Sequence, residues 1–361
     1  MRNREQLEET VTRFQDSFWG KKSAGRPPVG IYNDRTYLPI NFLRHPFSQH
    51  IVIPEDVTPD LVMTEYEYWF NKRDCDVSCD DLLAFSAPWR AIPWLEASCG
   101  CAVRYAEGSL APGHFVDSVD ELENVRIPAN IAWLECLRQQ TEFLEEHAPR
   151  DCWISPSILR GPSDILVAMR GMTNFFTDLH DNPKAIKKAA GRVNQLLLKA
   201  LDTHFSIVRP KLNGYGHIYG YWAPGKTIVI QEDAMGMASP AMYRDIFMEY
   251  NAQVVEHLGQ YVLFHLHSTG CKHYRDVLEI PGLAGLEVTV ETIGPTLRDL
   301  LPDFREILER SRLILMVDHG FEQLPEILRK LPREGLFLIV ANGRIRSNEE
   351  FNRFVSSNWK C

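Results

Sequence analysis

His265-Leu266-His267 places two imidazoles at i and i+2, and in an extended segment that spacing brings both to one face. Two such nitrogens can approach one tetrahedral divalent ion, zinc above all, yet alone they make a weak site. A carboxylate must complete the set. Glu291, which ends Leu286-Glu287-Val288-Thr289-Val290-Glu291, is the first expectation, and Asp233, which ends Ile228–Asp233, is the alternative. Two histidines and one carboxylate leave a coordination position open, as catalytic zinc requires. Asp233 and Glu291 are also the candidates for proton transfer. The plainer reading is that histidines and acids hydrogen-bond one another with no ion between them.

These residues need elements that aim them. Short β-rich runs alternate with amphipathic segments, the pattern of a parallel sheet covered by helices. The expected strands are Val29–Tyr32, Leu82–Ser86, Cys152–Ile158, His217–Trp222, Ile228–Asp233, Tyr261–His267, Leu286–Glu291, Leu313–Asp318 and Leu336–Ala341. In Tyr261–His267, Val262, Phe264 and Leu266 share a face suited to packing under helices, while Leu263, His265 and His267 share the other. Leu286, Val288 and Val290 likewise oppose Glu287, Thr289 and Glu291. Asp318-His319 ends the next run, so consecutive strands finish in acids or histidines. In a (β/α)8 barrel that is the end where loops vary without disturbing the packed layers. Tyr219 and Trp222 flank a Gly-Tyr-Trp-Ala-Pro-Gly turn and serve either as packing or as a substrate wall.

Helix starts are marked by Asn182-Pro183 and Ser239-Pro240, where proline at the first helical position loses no hydrogen bond. In the helix expected over Pro183–Ile207, Ile186, Val193, Leu197 and Leu201 recur on one face. The expected fold is therefore α/β: a single (β/α)8 TIM barrel over residues 1–361, with an N-terminal helical extension over 1–27.

The chain of 361 residues is 45% hydrophobic and 24% charged, enough apolar material for a sizeable core. A formal charge of −9 argues against a general nucleic-acid binder. Its charged N-terminus and the lack of a long apolar run predict a cytoplasmic protein with no membrane partner. Eight cysteines, at 75, 79, 99, 101, 136, 152, 271 and 361, do not form a CxxC…CxxC zinc ribbon and are expected to be reduced and buried.

Several segments resemble the uroporphyrinogen decarboxylase superfamily, which includes methylcobamide:coenzyme M methyltransferases. Asp80-Asp81-Leu82-Leu83-Ala84-Phe85-Ser86 is similar to the decarboxylase segment ending in Phe-Ser-Asp, and Gly161-Pro162 with its apolar helix is similar to Gly-x-Pro-Phe-Thr. Gln231–Pro240 resembles Asp-Ser-x-Ala-Gly-x-x-Ser-Pro. Arg35-Thr36-Tyr37-Leu38-Pro39 is similar to Gly-Arg-Tyr-Leu-Pro, with an extra residue.

The departures are informative. Ala87 stands where a decarboxylase has its pyrrole-binding aspartate, and Asn342 stands where it has the histidine of Gly-His-Gly. Conversion of uroporphyrinogen is therefore not expected. The methyltransferase branch carries His-x-Cys and a distant cysteine; here His265-Leu266-His267 replaces the first, and no cysteine lies near Asn342-Gly343. The resemblance implies a metal-assisted transfer of a methyl group between a small methylated substrate and a corrinoid, with a corrinoid protein as partner; Arg35, Tyr219, Trp222 and Asn342 are the expected substrate-binding residues. A homodimer is also implied. Two other readings stay open. One is a metal-free decarboxylase or lyase, in which Arg35 holds a carboxylate and Asp233 stabilises a cation. The other is a non-catalytic protein that binds a tetrapyrrole or a partner.

Overall fold

The computed structural model describes residues 4–23, 25–32, 51–60, 79–80, 85–106, 109–127, 131–149, 152–341 and 344–359. Arg35, the Arg35–Pro39 segment, Asn342 and Gly343 lie outside them, as do Cys75 and Cys361.

The described strands are β1 (Val29–Tyr32), β2 (Ile51–Val52), β3 (Phe85–Ser86), β4 (Ala102–Ala106), β5 (Ser109–Gly113), β6 (Trp153–Ile154), β7 (Tyr215–Gly216), β8 (Trp222–Ala223), β9 (Val229–Ile230), β10 (Leu263–His267), β11 (Gly285–Val290), β12 (Leu313–Val317) and β13 (Leu336–Ala341). Six form one parallel sheet in the order β1-β13-β12-β11-β10-β9. In register, His265 pairs with Glu287 and His267 with Thr289. β3 and β6 make a separate parallel pair. A lone parallel bridge, Arg160 with Gln231, joins the chain beyond β6 to the chain beyond β9. The architecture is mixed α/β around a parallel six-stranded sheet, as in TIM-like folds.

The alternation read from sequence decides the packing. Val262, Phe264, Leu266, Leu286, Val288, Val290, Leu313 and Leu315 join the large core beneath the helices, including the long helix Pro183–Ile207. Leu263, Ile314, Met316, Phe337 and Ile339 face the other way and join Phe14, Phe18 and Trp19 of the N-terminal segment. That segment is a helix, Arg4–Arg13, running into a π-helical turn, Phe14–Trp19. It lies across the N-terminal ends of the strands. Arg312, just before β12, donates from Nε to the carbonyls of Phe18 (3.2 Å) and Trp19 (3.1 Å), and from Nη1 to that of Ala284 (3.1 Å), just before β11.

Some elements differ from expectation. His217–Trp222 is not one strand: β7 and β8 form an antiparallel hairpin, because Gly220 takes φ +77° and lets the chain turn on itself. The expected Ile228–Asp233 strand ends early, and Asp233–Met237 winds into a 3-10 turn. β2, β4 and β5 form an antiparallel sheet that the α/β alternation did not suggest. Ser239 caps the Pro240 helix start through Met242 N–H, whereas Asn182 makes no side-chain cap. Among the described residues, Cys79, Cys99, Cys101, Cys136, Cys152 and Cys271 are buried, and no helix is long and apolar enough to cross a membrane.

Candidate metal centre

Strand β10 carries His265 and His267 to one face, where their rings meet edge to face at 4.5 Å between centroids. The 3-10 turn after β9 brings Asp233 over both. Its Oδ1 lies 3.7 Å from Nε2 of His265 and 3.7 Å from Nε2 of His267. One donor atom from each of the three falls within 4.8 Å of the others. For bonds of about 2.0–2.1 Å, donors on a tetrahedral ion sit roughly 3.3 Å apart, so a small inward movement would let them share one.

The other imidazole nitrogens are taken by carboxylates. His267 Nδ1 donates to Glu291 at 2.9 Å, and His265 Nδ1 donates to Glu287 in a very short contact. Glu287 is fully buried, and its second oxygen accepts from Thr289 Oγ1 at 2.8 Å. These bonds fix the tautomer and leave both Nε2 atoms turned toward Asp233, the outer-shell arrangement common at metal-ligating histidines. Glu291, the first expectation as third ligand, orients His267 instead, while Asp233 meets both Nε2 atoms. The difference comes from the turn: with β9 ending at Ile230, Asp233 is lifted over the strand tips rather than held within a ladder.

Burial pulls the His265 imidazole down, but the Glu287 carboxylate and then Asp233 outweigh it and hold its pKa above the usual value. Contact with Asp233 raises His267 to about 9 against the effect of burial, with Glu291 adding to the rise. For Asp233, burial is outweighed by His267, His265 and Arg160, which keep the carboxylate below its usual range.

Asp233 is itself held by a two-way clasp. Asp164, on the helix Pro162–Arg170, accepts from the backbone N–H of Asp233 (3.0 Å) and Ala234 (2.7 Å), capping the turn. Glu232 returns the contact, accepting from Ser163 N–H at 2.7 Å near the start of Asp164's helix and from the Ser163 hydroxyl. Gly161 N–H donates to Gln231 O at 2.7 Å between them. A Cβ on Gly161 would lie 2.5 Å from the Glu232 carboxyl, so the close approach needs glycine. Burial, then the charge of Asp233, raises Asp164 to about 7; burial, then Asp164, raises Glu232 to about 8.

Tyr219 reaches this cluster: its hydroxyl is 3.4 Å from His265 Nδ1 and accepts from Gln231 Nε2 at 3.3 Å. Trp222 is placed elsewhere, buried in the cluster beside the N-terminal segment, where its carbonyl accepts from Trp19 Nε1 at 2.6 Å. His319 is exposed, and the backbone amides of Asp318 and His319 both donate to Val290 O. A small cleft of about 20 Å³ beside the cluster is lined by Asp233, Met235, His265, His267, Thr269 and His273. Sequence reading missed Asp164, Glu232 and Arg160 as site residues. The available signal was Arg160-Gly161-Pro162-Ser163-Asp164, but an acid in a first helical turn normally serves its own helix.

No protein-family model and no curated protein matches the chain. Among solved structures it is similar to a methyltransferase from Methanosarcina mazei, with TM-score 0.61 and 13% identity over 97% of this chain and 98% of that one. At that identity the likeness establishes a shared fold. A likeness to the homocysteine methyltransferase MmuM from Escherichia coli, in its metallated form, has TM-score 0.39 and 13% identity over 90% of this chain and 94% of that one, too loose to carry an argument.

Proposed function

We propose that this chain is a metal-assisted methyltransferase acting between a small methylated substrate and a corrinoid carried by a partner protein. The observation that carries the reading is the convergence of Asp233 Oδ1 on both Nε2 atoms, with each Nδ1 anchored to a glutamate. One carboxylate and two imidazoles suit zinc and leave a position for substrate. That the Methanosarcina mazei neighbour is a methyltransferase supports choosing methyl transfer among the reactions this fold can host.

A bound divalent ion would act as a Lewis acid on the substrate's heteroatom. The chain's own residues supply the rest. Glu287 and Glu291 hold the rings with Nε2 forward and increase their donor strength. Asp164 and Glu232 fix the turn that presents Asp233. Glu291, with 39% of its side chain exposed, is the group able to exchange a proton with solvent through His267. This reading keeps Arg35 and Asn342, which lie outside the described residues, as substrate-binding residues. Its scaffold is one barrel over residues 1–361, in which β3 and β6 complete eight strands. The Arg160–Gln231 bridge is one seam, and Asp80 N–H on Val29 O at 2.7 Å lies along the other.

Metal content tests this directly. Protein purified without chelator should carry close to one zinc per chain, and a His265→Ala/His267→Ala variant should carry none. If the parent holds no more zinc than the variant after incubation with added metal, the reading is wrong. In that case the imidazoles' raised pKa values favour a metal-free lyase, with His267 as a general acid.

A further inference from the structure

Arg160 stands at the same end of the sheet as the histidine–aspartate cluster. It bridges Gln231 in parallel register, and residues so paired project to the same face of a sheet. Gln231 donates to Tyr219, whose hydroxyl is the one beside His265, so the shared face leads toward the cluster. The guanidinium is fixed from one side only. Nη1 donates to Glu96 at 2.9 Å, and Glu96 is buried with 2% of its side chain exposed. The Arg160 side chain is 41% exposed, and among the described residues Glu96 is the guanidinium's only hydrogen-bond partner. A buried anchor on one nitrogen and a solvent-facing edge on the others orient a planar donor fork for something outside the chain.

An anion fits that edge best, because a guanidinium is cationic and has donors and no acceptor. Its remaining N–H groups match the two oxygens of a carboxylate. Asp164 and Asp233 are near enough to act on its charge, yet neither hydrogen-bonds to it, so neither occupies the free edge. We propose that the free edge of Arg160 binds a carboxylate on the substrate, so that the site takes a small molecule whose acidic end is held here and whose reacting end meets the Asp233, His265 and His267 cluster. The second point of contact rests on the metal reading above; the first does not.

Succinate and its uncharged analogue succinamide serve as probes, with binding measured by calorimetry on chelator-treated and zinc-loaded protein. The parent should bind succinate more tightly than succinamide in both forms. Arg160→Gln should weaken succinate by roughly tenfold, the scale of one charge-assisted hydrogen bond, and leave succinamide unchanged. Arg160→Lys should fall between, because it keeps the charge and loses the fork. If Arg160→Gln binds succinate as the parent does, or if the parent binds no succinate, the proposal is overturned. It is also overturned if succinate binds only with zinc present and is lost in His267→Ala but not in Arg160→Gln, since the carboxylate is then a metal ligand. Arg160-dependent binding to a protein that takes up no zinc would leave this proposal standing and remove the metal reading alone. A parent-like circular dichroism spectrum and unchanged succinamide binding in Arg160→Gln show that the variant is still folded.

Discussion

The two ends of the strands are built from opposite materials. At the N-terminal end, Phe14, Phe18 and Trp19 pack edge-on against one another and onto Phe337 and Tyr221, and Arg312 ties the turn down through backbone carbonyls. At the C-terminal end, Asp164, Glu232, Asp233, His265, Glu287 and Glu291 crowd together, several with raised or lowered pKa values. Grouping titratable residues in a half-buried site destabilises a fold unless each finds a partner. The apolar end has no such cost and supplies cohesion. Stability and chemistry are thus divided along the strand axis, and variants at the two ends should fail in different ways.

The largest effect on stability belongs to the apolar end. Phe18 is fully buried, and Phe18→Ala should cost about 3–5 kcal/mol in urea unfolding while leaving zinc per folded chain unchanged. Metal loss in that variant, at concentrations where it is folded, would show that the ends are not independent. Glu287→Gln sets the opposite case. It keeps the shape but weakens the hold on His265, so zinc affinity measured by chelator competition should fall roughly 10–100-fold. An unchanged affinity would mean that Glu287 serves only the interior. Asp164→Ala comes next. It touches neither imidazole and removes only the acceptor for Asp233 and Ala234 N–H. We expect a loss of roughly tenfold in zinc affinity, because the turn that presents Asp233 loosens. Asp164→Asn, which keeps an acceptor oxygen, should recover part of it. Equal affinity in Asp164→Ala and parent would show that the turn holds itself.

How far the sequence could be read follows the same division. Strands β10 and β11 were legible because each alternates between a helix-facing apolar side and an inward side, and β12 and β13 as short apolar runs; the histidine pair came with β10. The placement of Asp233, rather than Glu291, beside both Nε2 atoms was not legible. It depends on where β9 stops, and Ile228–Asp233 continues the strand pattern past the point where the chain leaves the sheet. The Asp164–Glu232 clasp joins residues 69 and 70 positions apart, and nothing local marks either acid as serving the other's segment. The hairpin at Gly220 was missed because His217–Trp222 is rich in residues that suit strands, and one glycine decided the geometry.

The smallest expected effect is a pH dependence that should appear only without metal. His267 is raised from 6.5 to about 9 in the folded chain, through Asp233 first and Glu291 after it. A folded-state pKa above the unfolded value means that folding favours the proton. The stabilisation is complete below about 6.5 and is lost as pH rises through about 9. His265 is shifted in the same direction. Asp164 and Glu232, raised to about 7 and about 8, also favour the proton when folded and contribute a falling stability below those values. Above pH 8 Glu232 and the buried Cys99, Cys136 and Cys271 thiols, pushed up from 9.0 to about 12, lose stability in the same direction, so the imidazole part is the difference between parent and His267→Gln. Chelator-treated protein should lose thermal stability between about pH 8 and 9.5, and His267→Gln should flatten that slope. With zinc bound, the ligating imidazoles are neutral, so their part of the loss should vanish and parent and His267→Gln should differ only in metal content, and binding should release protons at lower pH. A flat midpoint in the chelator-treated parent, or one that rises, would mean that the carboxylates around His267 do not hold it charged. The polar end would then be ordered by hydrogen bonds between neutral groups, and its contrast with the aromatic end would be one of composition rather than charge.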